Sequence, residues 1–115
     1  MKQLLTILML GNAALFVFGA LQHAGVVIGS LSEPVIIPAS IVELLCALAL
    51  IWGVVAVLTG SLKAWRSALI GNVIAITGVA IGMVALAVGA GPQTASNDLY
   101  HSLFVPATRA VLKRH

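Results

Sequence analysis

Few side chains in this sequence can do chemistry. They are His23, Glu33, Glu43, Asp98 and His101, with Cys46 as the lone thiol. Imidazole and carboxylate together form a ligand set suited to zinc or another first-row metal. They also suit proton transfer, because histidine titrates near neutral pH. Asp98 and His101 lie three residues apart and would share a helix face. The candidate ligand cluster is therefore His23, Glu43, Asp98 and His101, provided the fold brings them together. No pair has the i, i+4 histidine spacing of a helical metal site, and a single cysteine allows neither a CxxC pair nor an internal disulfide.

Each of these residues also has a purely structural role open to it. Ser40-Ile-Val-Glu43 matches a capping box, in which Glu43 would satisfy the first amides of its own helix. Glu33 precedes Pro34 in a loop and is expected to be solvated. His23 could donate to a backbone carbonyl or reach toward water. Ser96, Asn97 or Asp98 could cap a helix, which would leave Tyr100 and His101 unexplained.

The elements that would hold these groups follow from the composition. Of the 115 residues, 61% are hydrophobic and only 8% charged, and the mean hydropathy is +1.15. Soluble domains carry about 25% charged residues, so this chain lacks the polar surface of a soluble enzyme, a disordered tail or a nucleic-acid reader. The composition predicts one all-α transmembrane domain over residues 1–115. Since a span needs about 20 apolar residues, the expected spans are 4–28, 41–58 and 67–89. A short fourth helix over about 97–112 would complete an up-down bundle. At about 1.5 Å per residue that last stretch is thin for a crossing, and a re-entrant or surface-lying tail is its alternative. Cleavage of the first segment is not expected, because it is long for a signal peptide and Phe18 occupies the −3 position before Ala20.

Basic residues orient the chain. Lys2 precedes the first span, Lys63 and Arg66 lie between the second and third, and Arg109, Lys113 and Arg114 follow the last stretch. The 29–40 and 90–97 links have no Lys or Arg. The positive-inside rule then places the N-terminus in the cytoplasm of a cell or inner membrane. Trp65 is expected as an interfacial anchor. All three acids, with His23 and His101, fall on the outer side, where ionisable groups at membrane depth are costly and often functional.

Packing in lipid depends on close backbone approach. Gly71, Ala75, Gly78, Gly82, Ala85 and Gly89 recur at alternating spacings of four and three, which predicts one small-residue seam on the third span. The seam would pack against the first or second span, or against a second copy of the chain or another membrane subunit. Asn12 and Asn72 lie at similar depth and are expected to meet. Cys46 and Trp52 are read as packing residues within the second span.

The segment Gly91-Pro-Gln-Thr-Ala-Ser-Asn-Asp-Leu-Tyr-His101 resembles a GPxTxxNDxYH-type link in a group of small bacterial membrane proteins. His23 in the first span and Glu43 opening the second are similar as well, so the resemblance runs over residues 1–101. It implies a four-span bundle and no particular activity. Small multidrug transporters, of similar size, carry an acid in their first span, which this chain lacks.

Two functions fit these features. One is a structural or accessory membrane component held by the small-residue seam. The other handles a metal, a quinone or haem, or protons at the outer His/Glu/Asp cluster, and the sequence does not choose among these ligands. An enzyme ranks last, because no nucleophile, base and oxyanion hole come together in the pattern.

Overall fold

The computed structural model describes residues 1–30 and 33–89. It is helical, with α1 at Lys2–His23, α2 at Ile37–Leu58 and α3 at Ala64–Ala87, and no strand among the described residues. All three helices are long and apolar enough to cross a membrane. The expected fourth helix, with Asp98 and His101, lies outside the described residues.

The first span is shorter than its apolar run, and Gly25 is the reason. Its φ of +96° is the left-handed conformation that glycine adopts most readily. The turn is a Schellman cap: the Val26 amide donates to the Leu21 carbonyl at 2.9 Å and the Gly25 amide to Gln22 at 3.0 Å. The second span begins four residues earlier than expected. Pro38 sits in its first turn, where its fixed φ suits a helix and its missing N–H is not needed.

α1 packs antiparallel along α2, and α2 antiparallel along α3, so the central helix carries nearly all interhelical contact. One end of the molecule therefore gathers Lys2, the end of α2 and the start of α3. The other gathers His23 and the start of α2. The core comprises Met9, Ala13 and Phe16 of α1, Cys46, Ala47, Leu50 and Val54 of α2, and Ala68, Ala75 and Val79 of α3. Gly53 marks a close approach of all three helices, since a methyl group there would meet Met9 Cε at 2.6 Å, Ala68 Cα at 3.1 Å and the Ser67 carbonyl oxygen at 3.2 Å.

Polarity is inverted relative to a soluble protein. Thr6, Asn12, Gln22, His23, Glu43, Ser67 and Asn72 are buried, while large apolar side chains such as Ile7, Leu45, Leu48, Val55, Ile81 and Val84 point outward. Exposed apolar surface on this scale marks contact with a partner or a membrane. Hydrocarbon rewards this arrangement, because polar groups are stabilised there only by other protein groups.

The small-residue seam holds in its first half. A methyl group on Gly71 would sit 2.7 Å from the Ala49 carbonyl oxygen, and one on Gly78 would sit 2.5 Å from Cys46 Sγ. Ala75 between them is buried. These three residues let α3 lie against α2. Gly82 and Ala85 are half-buried. Gly89 is exposed, has φ +76°, and its amide closes the end of α3 on the Leu86 carbonyl.

Two packing expectations are corrected. Trp52 is 50% exposed, because it lies on the outward face of α2 beside Ile51 and Val55. Cys46 is buried as expected, and its Sγ donates to the Ile74 carbonyl at 3.7 Å. Asn12 and Asn72 are both buried but do not bond to each other. The Asn72 amide turns back onto its own helix and donates to the Ala68 carbonyl at 2.8 Å. Asn12 Nδ2 and Asn72 Oδ1 have no hydrogen-bond partner.

Candidate functional site

The site grows from the α1–α2 turn. The Gly25 cap stops α1 at His23, and the chain returns through Val35, whose Cγ2 lies 3.0 Å from where a Gly25 methyl would be. The Ile36 amide then donates to the His23 carbonyl at 2.8 Å. This bond sets the start of α2 beside the end of α1. One turn on, Ser40 Oγ donates to the Ala20 carbonyl at 2.7 Å. The register places Glu43 against His23.

His23 Nε2 lies 3.8 Å from Glu43 Oε1, with side chains 6% and 9% exposed. That distance is too long for a direct hydrogen bond. It is an ion pair when the imidazole is protonated. The other ring nitrogen, Nδ1, is buried without a partner. Gln22, also buried, donates from Nε2 to the Val26 carbonyl at 3.4 Å.

The capping-box alternative fails. The N-cap of α2 is Ile36 and no side chain caps it, so Ser40 already lies inside the helix. Pro38 starts the helix early and releases both polar residues of the motif from capping. Ser40 faces α1 instead, and Glu43 pairs with His23. Glu33 is half-buried rather than fully solvated.

Of the four candidate ligands, His23 and Glu43 are brought together, while Asp98 and His101 lie outside the described residues. Among the described residues, no three of His, Cys, Asp and Glu gather as a metal ion would require. Two ligands to one tetrahedral zinc, each about 2.0–2.2 Å from it, stand roughly 3.3–3.5 Å apart. The imidazole–carboxylate gap, at 3.8 Å, is longer than that. Sequence reasoning assigned Ser40 to a cap and missed its role as the interhelical tie. The available signal was Pro38, which favours a helix start ahead of Ser40. No protein-family model, curated protein or solved structure matches the chain.

Proposed function

We propose that this chain is a multi-pass integral membrane protein that holds a cation, either a proton or a first-row divalent metal, between His23 and Glu43. The observation supporting this reading is the buried approach of the two side chains, with Glu43 unused as a cap. A buried carboxylate is stabilised by a positive partner. Protonated His23 supplies one, and a metal ion would replace it. Asp98 and His101 are the remaining proposed ligands. The positions of Lys2, Lys63 and Arg66 support an outer location for this site, with the N-terminus in the cytoplasm of a cell or inner membrane. Kinship with the small bacterial membrane proteins that carry the GPxTxxNDxYH-type link belongs to the same proposal.

The test is metal retention by the full-length protein in detergent, loaded with zinc or cobalt and passed through a desalting column. The expected result is near-stoichiometric metal in the parent and none in the His23→Ala, His101→Ala double variant. Equal retention by both removes the metal reading. The proton reading predicts no metal in the parent or the variant, with Glu43→Gln changing the His23 ring resonances by removing the carboxylate beside the imidazole.

A second reading is a structural or accessory component of a membrane assembly. The Gly71–Ala75–Gly78 seam favours it, because these residues serve helix packing. Under it the His23–Glu43 contact is a tie between helices, and its removal changes stability without changing ligand content.

A further inference from the structure

At the opposite end of the α1–α2 pair, an open groove of about 460 Å³ has Lys2, Gln3 and Thr6 on its polar side and Ile7, Val57 and Leu58 as apolar walls. Thr6 is unusual there. A helical threonine ordinarily returns its hydroxyl to the carbonyl one turn back, as Thr59 does to Val55 at 2.8 Å and Thr77 to Val73 at 2.9 Å. Thr6 is 8% exposed, and its hydroxyl has no partner. None of the described residues lining the groove is acidic, so Lys2 leaves it positive. Lys63 and Arg66, at the start of α3, lie at this same end of the molecule.

A cation, an amide and an orphan hydroxyl above an apolar wall match an amphiphile with an anionic head. A soluble anion would leave the exposed Ile7 and Leu58 uncovered, and a neutral lipid would leave Lys2 without a counter-charge. We infer that this groove seats one anionic phospholipid, its phosphate on Lys2, Gln3 and Thr6 and its acyl chain along Ile7, Val57 and Leu58. The contact is a bound-lipid site separate from the His23–Glu43 pair.

The test uses the full chain, lipid-depleted in neutral detergent and titrated with phosphatidylglycerol or phosphatidylcholine, with bound lipid counted by native mass spectrometry. One phosphatidylglycerol should bind at least about tenfold more tightly than phosphatidylcholine, the scale of one charge-assisted hydrogen bond. Lys2→Gln and Thr6→Val should each weaken it several-fold. Thr6→Ser should retain it, and Lys63→Gln should leave it unchanged. Equal binding of the two lipids, or no loss in both Lys2→Gln and Thr6→Val, overturns the proposal. Loss with Lys63→Gln as large as with Lys2→Gln also overturns it, by showing diffuse surface charge. Displacement by glycerol 1-phosphate at matched concentration would assign the site to a soluble phosphate instead.

Discussion

Gly71→Ala tests the seam directly. Its new methyl would lie 2.7 Å from the Ala49 carbonyl oxygen, where ordinary contact starts near 3.4 Å, so α2 and α3 must separate by about 0.7 Å. The obstacle is backbone and cannot rotate away. Overpacking of this kind costs about 1–3 kcal/mol, against a helix-propensity gain of about 1 kcal/mol for replacing glycine by alanine. The expected net loss is about 0–2 kcal/mol. Gly78→Ala meets Cys46 Sγ, a side-chain atom that can move, so its net effect should be within about 1 kcal/mol of zero. Cys46→Ala should remove what loss remains. Gly11→Ala has nothing within 4 Å and should be neutral or slightly stabilising. Unfolding in mixed micelles by increasing dodecyl sulfate, followed through Trp52 and Trp65 fluorescence, gives the four midpoints. If Gly71→Ala unfolds at the same denaturant fraction as Gly11→Ala, the helices do not pack as described.

Further substitutions probe the site and the topology. Ser40→Ala removes the interhelical bond to the Ala20 carbonyl and should lower stability by about 0.5–1.5 kcal/mol in the same assay, whereas Ser40→Thr should retain most of it. Gly25→Ala forces a side chain into φ +96° against Val35; the expected loss is about 1–3 kcal/mol, with faster hydrogen exchange at the Ile36 amide. His23→Ala leaves Glu43 buried without this imidazole and should destabilise by about 3–5 kcal/mol if the pair is ionised; a smaller loss, shared by Glu43→Gln, would show a neutral contact. Ser30→Cys in a Cys46→Ala background should label with an impermeant maleimide added to intact cells, and labelling only after permeabilisation would invert the topology.

Much of the architecture was legible in the residues. Three apolar runs of sufficient length are read directly, because lipid permits few backbone solutions. The seam was legible from Gly71 to Gly78, where small residues recur at helical spacing. It was less legible at Gly89, since a glycine that ends a helix and one that packs against a neighbour have the same letter. The meeting of His23 and Glu43 was legible as a hypothesis only. Sequence spacing within one helix says nothing about register between two, and that register is set by the Gly25 turn, the Ile36–His23 bond and Ser40. The Ser40–Glu43 motif pointed to capping because a complete S-x-x-E match was weighed above Pro38, which starts the helix earlier. Trp52 was misjudged for a related reason: in a uniformly apolar helix, no contrast between faces marks which one meets the neighbour.

The central position of α2 has a consequence for assembly during synthesis. Among the described residues α1 is held chiefly by α2, and the two are clasped at their shared turn by bonds that need no residue beyond Glu43. A hairpin of the first two segments can therefore form its polar contacts before α3 leaves the ribosome. α3 then docks onto a surface that already exists, Gly71 against the Ala49 backbone and Gly78 against Cys46.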